Sequence, residues 1–285
     1  FYIIRTFPGA GLLSNYNFIL NHIFYAKSKD WISVIDYENY PNYYREKNKI
    51  NNSKNSWEYY FEQPYKFTLN EAYQSSNVFL SDDSYNEFPK ELSLKREFEL
   101  LMDETHVNKL HEISNKIEIN ISTKKHINTE LETLFRNKDK ILGVSLRGTD
   151  YADASLSPGH STPPSLEMCL DKVDAIYEKG NFNFIYLATE QEEYLEKFKN
   201  KYRDKLILLE RRRFTENNDS NKKIITRRFD RENDKYLTGL EYLTEVEGFR
   251  NVDYFVGSMN NMTIYLLVKY KKLYKNNYLF NLGIN

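Results

Sequence analysis

Ile141-Leu142-Gly143-Val144-Ser145-Leu146-Arg147-Gly148-Thr149-Asp150 is the stretch on which the fold is decided. An uncharged, mostly apolar run ends abruptly in an arginine, a glycine, a threonine and an aspartate. A short continuous apolar run closed by turn residues is the pattern of a strand covered on both faces, as in a parallel sheet. Pro163-Pro164-Ser165 then opens a helix that carries Leu166, Leu170, Val173, Ile176 and Tyr177 on one face. Residues 184–188 and 206–209 read as further strands with a helix over 194–202 between them, and 211–234 as a charged, mobile loop. Residues 237–249 read as helix, 254–257 as strand and 262–270 as helix. Strands alternating with helices at these lengths predict an α/β fold with a parallel, doubly wound sheet. In such sheets ligands bind beyond the carboxyl ends of the strands, which selects residues 147–153, 189–190 and 257–262.

The N-terminal part opens in the same way. Residues 2–4 read as a strand, Pro8-Gly9-Ala10-Gly11 as a turn, and 15–27 as a helix with Ser14 as its N-cap. Residues 31–35 form the next strand, ending at Asp36. Residues 37–90, rich in Tyr, Asn, Ser and Pro, are expected to be long loops and short helices, and 91–135 largely helical. The expected division is residues 1–130 and 131–285, with the last helix able to return to the first domain.

Composition narrows the function. With 285 residues the chain has room for two ordinary domains. Lys and Arg number 40 against 41 Asp and Glu, so the basic excess of a nucleic-acid binder is missing and no nucleic-acid partner is expected. A single cysteine, Cys169, rules out an internal disulfide and the commonest zinc frameworks, and fits a reducing compartment. No apolar run is long enough for a membrane span. The opening Phe1-Tyr2-Ile3-Ile4-Arg5 has neither a basic region nor a cleavage site, so no signal peptide is expected and the location is read as cytoplasmic.

Among the strand-end residues, Arg147 is the first candidate. A planar fork of donors at the rim of a sheet suits phosphate oxygens, and it suits equally a structural pair with Asp150. Asp150 and Asp153 are placed to take a proton from an attacking hydroxyl, or to cap the turn. Gly257-Ser258-Met259-Asn260-Asn261 is a strand-to-helix turn, where backbone N–H groups and the helix dipole favour a diphosphate, or where Asn260 serves as an ordinary cap. Thr189 and Glu190 end a strand and can accept bonds from a base or ribose; Glu190 can equally be a solvated first-turn residue. Arg211-Arg212-Arg213 and Arg227-Arg228 can close over phosphates, though such runs are usually solvated faces. No two aspartates stand two apart, so the Asp-x-Asp metal clamp on a diphosphate is missing. Leaving-group charge then falls to Arg147 and a helix N-terminus, and no metal is expected.

The segment 143–150 resembles the first motif of GDP-fucose-dependent fucosyltransferases of the α1,6 and protein-O types and their bacterial relatives, roughly His-x-Arg-x-x-Asp. Tyr186-Leu187-Ala188-Thr189-Glu190 resembles their Leu-Ala-Thr-Asp strand end, and 245–261 their final motif. Gly9-Ala10-Gly11-Leu12-Leu13-Ser14-Asn15 resembles the glycine-rich loop that faces the donor from the acceptor domain. Trp57-Glu58-Tyr59-Tyr60-Phe61 is similar to a segment of the bacterial members. The resemblance implies a GT-B fold, two Rossmann-like domains with parallel sheets facing across a cleft, residues 1–130 being the acceptor side. It implies an inverting, metal-independent glycosyltransferase whose donor is a nucleotide-diphosphate sugar, GDP-fucose first. The acceptor is a hydroxyl of a glycan or glycolipid precursor, which would bring the enzyme to the periphery of a membrane. By the resemblance Arg147 meets the β-phosphate, Glu190 and Glu245 the nucleoside end, and Ser258, Asn260 and Asn261 the phosphates, with Gly11 and Asn15 on the donor-facing loop. The chain departs from the pattern at Ser145, where the family has His, at Gly148, where the α1,6 type has a second Arg, and at Asn260-Asn261, where it has Ser-Ser. These departures bear on the donor sugar, leaving a different nucleotide-sugar or a non-catalytic carbohydrate-binding relative as the alternatives.

Overall fold

The computed structural model describes residues 1–5, 10–40, 42–81, 103–147, 160–215 and 226–284. The chain is mixed α/β with two parallel sheets and divides into two compact units, residues 1–126 with 228–240 and residues 127–227 with 241–285. Among the described residues no helix is long and apolar enough to cross a membrane.

The first unit contains β1 (Tyr2–Arg5), α1 (Leu12–Ser28), β2 (Ser33–Asp36), α2 (Leu69–Gln74), β3 (Phe79–Leu80) and α3 (Glu104–Ser114). Its sheet has the order β2-β1-β3. The first helix starts three residues earlier than the expected 15, with extended Gly11 at the N-cap and no side-chain cap bond. Leu12 and Leu13 are buried, so apolar burial extends the helix past Ser14, which becomes an interior residue. The second strand begins at Ser33 because Trp31 leaves the ladder and stacks on Phe79 with ring centroids 4.3 Å apart. The outer edge of β2 is closed by side chains in place of a strand: Ile35 N–H donates to Gln63 Oε1 (2.8 Å), and Gln63 Nε2 and Asn55 Nδ2 donate to the Ile35 carbonyl (2.9 and 2.7 Å). An exposed row of backbone groups is thereby removed. Strand β3 lies inside the stretch expected to be loops and short helices; two residues carry no readable period. Trp57, Tyr59, Tyr60 and Phe61 are buried, so this aromatic run is core.

The expected long helix over 91–135 is, within the described residues, two helices: α3 and α4 (Ile121–Leu134). Asn120 breaks them apart: its Oδ1 accepts from Thr123 N–H (2.9 Å) while its Nδ2 donates to the Glu58 carbonyl (2.8 Å), a capping arrangement that stops a helix running through.

The second unit contains β4 (Ile141–Ser145), α5 (Leu166–Lys179), β5 (Phe184–Ala188), α6 (Glu192–Tyr202), β6 (Leu206–Ile207), β7 (Tyr254–Ser258), α8 (Asn261–Lys269), α9 (Lys271–Lys275) and β8 (Asn277–Phe280). The helix α7 (Asp234–Gly248) starts in the first unit and ends in this one. The sheet order is β6-β5-β4-β7-β8, all parallel. All of β4 is buried, as its unbroken apolar run requires. Gly143 admits the layer above it: a Cβ there would meet Val252 Cγ2 at 2.8 Å and the Phe249 ring at 2.9 Å. Ser165 caps α5 by accepting from Met168 N–H (3.2 Å), as its position after two prolines predicts. Strand β6 is two residues long against an expected four, and α9 and β8 extend the sheet beyond the last expected helix.

Candidate functional site

The sheet of the second unit reverses its direction of travel at β4. The chain goes from β4 to β5 to β6 on one side, then places β7 and β8 on the other, so the switch point lies between β4 and β7. Ligand crevices in open α/β sheets form there, outside the carboxyl ends. Register brings three strand ends level. Ser145 pairs with Ala188 and Val144 with Val256, so Arg147 lies level with Glu190 on one side and Met259 on the other. Leu146 N–H donates to the Ala188 carbonyl (3.1 Å), which carries the ladder one residue beyond β4 and delivers Arg147 at its tip.

Arg147 Nε lies 3.4 Å from Glu190 Oε1, with the two side chains 30% and 17% exposed. A partly exposed pair of this kind contributes little stability. Ser145, where the resembled family has His, is buried with its hydroxyl 3.6 Å from Met262 Sδ. Asp150 and Asp153, with Gly148 and Thr149, lie outside the described residues.

The turn after β7 is built as a helix cap. Asn260 Oδ1 accepts from Thr263 N–H (3.0 Å), and the Thr263 hydroxyl donates to the Ser258 carbonyl. Ser258 and Asn260 are buried, and Asn261 is the first residue of α8. The structure therefore brings Arg147 against Glu190, next to Thr189 in the chain, and sets Ser258, Asn260 and Asn261 at the end of the neighbouring strand. Gly11 and Asn15 belong to the first unit. Gly11 is the N-cap of α1, and buried Asn15 donates from Nδ2 to the Ala10 carbonyl (3.3 Å).

The carboxyl end of β5 carries a charge cluster in which the sequence suggested a solvated face. Arg211 grips Glu245 with both prongs, Nε to Oε1 at 2.9 Å and Nη2 to Oε2 at 2.8 Å. Arg213 Nη2 lies 3.8 Å from Glu245 Oε1. Both arginines also donate to the Thr189 carbonyl, Arg211 at 3.3 Å and Arg213 at 3.1 Å. The three charged side chains are 2–8% exposed. Burial pushes the Glu245 carboxyl up, and the two guanidinium charges draw it back only in part. On Arg211 burial works against the charge but Glu245 outweighs it, so that guanidinium is held above its usual range; on Arg213 burial wins. A bidentate pair of this geometry is ionised.

The resemblance points to Glu245, whereas a run of arginines such as 211–213 is the usual pattern of a solvated face. Two signals were present. Arg211 and Arg213 alternate around Arg212, which in extended backbone puts them on one face. Glu245 lies beside Leu243 and Val246 in a helix, where a buried carboxylate needs a partner.

The fold is one that solved sugar-transferring enzymes share. The structure of the α-1,6-fucosyltransferase NodZ soaked with GDP-fucose matches with a TM-score of 0.51 at 14% identity, covering 94% of this chain and 91% of that one. POFUT1 in complex with GDP-fucose matches with a TM-score of 0.53 at 9% identity, covering 98% of each chain. At these identities the likeness is one of fold. No protein-family model matches the chain, and no curated sequence matches it.

Proposed function

We propose that this chain is a glycosyltransferase of the GT-B kind that transfers fucose from GDP-fucose to a hydroxyl of a glycan or glycolipid precursor, with inversion and without a metal ion. The observation that carries the reading is Arg147, held by Glu190 just past the central strand at the switch point of a parallel sheet. A guanidinium there is preorganised for the charge that appears on a departing diphosphate. The two fucosyltransferases of shared fold are described with GDP-fucose, which favours a guanosine donor over other nucleotide-sugars.

In this mechanism the acceptor oxygen bonds to the anomeric carbon as the bond from that carbon to the β-phosphate oxygen breaks and GDP leaves. Arg147 offsets the negative charge released, and Asp153 or Asp150 takes the acceptor proton. Thr189 and Glu190 serve the nucleoside end. The turn Ser258-Met259-Asn260-Asn261 brings the N-terminus of α8 to the phosphates, where the helix dipole favours an anion. The acceptor is placed in polysaccharide or glycolipid assembly in the cytoplasm, close to a membrane surface.

Thermal unfolding with GDP, UDP, CMP and dTDP tests the donor. At about 100 Kd a bound nucleotide adds about 2.7 kcal/mol, so GDP alone should raise the midpoint. A shift with another nucleotide replaces the donor. No shift with any of them would leave a carbohydrate-binding protein and end the proposal.

A further inference from the structure

The Arg211–Glu245–Arg213 cluster is assigned no part in the reaction above, yet it grips the residue next to Glu190. Two guanidinium groups converge on one backbone oxygen, that of Thr189, and Glu245 holds Arg211 there by a two-pronged bond. Arg213 is fixed further by donating to the Leu209 and Arg211 carbonyls (3.0 and 3.2 Å). The following residue is pinned from the other side: Phe214 N–H donates to the Glu190 carbonyl (2.9 Å), and Glu192 N–H donates to the Phe214 carbonyl (3.0 Å). The backbone on both sides of Glu190 is therefore held by the segment 211–214. Glu190 in turn faces Arg147.

Energetics argue against a merely stabilising pair. Burying ions in an interior is costly, and an apolar replacement of similar volume is often as stable or better. Here the buried guanidinium groups also feel Glu190, Glu192 and Glu210 around the strand end. Such an arrangement has a use at the rim of a sheet that binds an anion. It fixes the strand end rigidly without offering the guanidinium groups to solvent.

We propose that Arg211, Arg213 and Glu245 are positioning residues: they lock the carboxyl end of β5 so that Glu190 holds Arg147 in the orientation that receives a nucleoside diphosphate. Glu245, with both oxygens engaged by Arg211, acts on the ligand through this chain of contacts. The ligand part rests on the proposed function; the clamp itself does not.

Two readouts separate the two. The first is the Nε–Hε nuclear magnetic resonance signal of Arg147, assigned by its loss in Arg147→Lys and recorded without ligand. Glu245→Gln should shift or broaden it. Since that variant leaves two buried guanidinium groups without a counter-ion and can fail to fold, Arg213→Met is measured beside it. That change keeps the Arg211–Glu245 pair and removes the Arg213 bonds to the Thr189, Arg211 and Leu209 carbonyls. An Arg147 signal unmoved in folded Arg213→Met overturns the proposal, whatever the protein binds. The second readout is GDP affinity by calorimetry. Arg213→Met should weaken it roughly tenfold in the wild-type background and by less than about twofold in Arg147→Ala, because the two changes share one route. Equal losses in both backgrounds mean a general structural role and also overturn it. If the signal moves but GDP does not bind the unaltered protein, the clamp stands and the donor assignment falls.

Discussion

Two arginines stand at matching points of the two sheets, and their surroundings differ. Arg5 ends β1, the central strand of the first sheet, and Arg147 follows β4, the central strand of the second. Both sheets reverse their direction beside that strand, at β1/β3 and at β4/β7. Arg5 spends its fork on the backbone, with Nε (2.8 Å) and Nη2 on the Ser81 carbonyl and the guanidinium carbon 5.3 Å from the Tyr40 ring centre. Arg147 faces a carboxylate, Glu190, whose strand end is locked by buried charges. Topology nominates the position in both units. The neighbouring strand end then decides whether the arginine meets backbone, as Arg5 does, or a carboxylate, as Arg147 does.

The largest expected effect tests the lock. Glu245→Ala leaves Arg211 and Arg213 buried without their carboxylate and should lower unfolding free energy by about 3–5 kcal/mol in a denaturant titration. A loss under about 1 kcal/mol would mean that the cluster is solvated and does not set the β5 end apart from the first sheet.

Next comes the contrast between the arginines. Arg147→Ala should reduce fucosyl transfer by about 10²–10³-fold with little change in stability. Arg5→Ala should leave turnover within a few-fold and lower stability by about 1 kcal/mol, the worth of its backbone bonds. Equal kinetic losses from both changes would erase the distinction drawn here.

Acid should act on the first unit through His22. This side chain is buried, hydrogen-bonded through Nδ1 to the Tyr2 hydroxyl at 2.7 Å, and pushed down to about 3 by burial. Its folded value lies below the ordinary value of about 6.5, so the stabilisation is complete above 6.5 and is lost as pH falls toward 3. At pH 5 the loss is about 2 kcal/mol, and His22→Gln should flatten that part of the pH–stability curve. A curve of the same slope in the variant would assign the acid sensitivity elsewhere.

The smallest effect concerns the helices that follow the two switch points. Helix α8 is capped by Asn260, whereas α1 begins at Gly11 with no side-chain cap bond. Asn260→Ala should cost about 1 kcal/mol, and Gly11→Ala less than half of that, both read from thermal unfolding.

Much of this was legible in the chain. The runs 141–146, 184–188 and 254–257 carry enough apolar residues to declare buried strands, and the polar residue that follows each (Arg147, Thr189, Ser258) marks where a ligand rim must lie. The order of strands and helices then implies parallel pairing, because short loops cannot join parallel strands directly. Arg147 was readable because it follows such a run immediately. Harder to read were β3 and β8, which are too short or too polar to show a period, and the break in the 91–135 helix, which depends on the contact of Asn120 with the Glu58 carbonyl.

What the sequence determined by itself is the α/β class, the strand ends and the arginine at the tip of β4, because local apolar patterning and turn chemistry act within a few residues. Tertiary structure alone decided that Arg211 and Arg213 pair with Glu245 and with the Thr189 carbonyl, and that Arg5 and Arg147 part ways. Those outcomes depend on partners between 22 and 76 positions away. Charge pairs across such separations leave no local pattern, since the energy that buries them exists only once the strands are side by side.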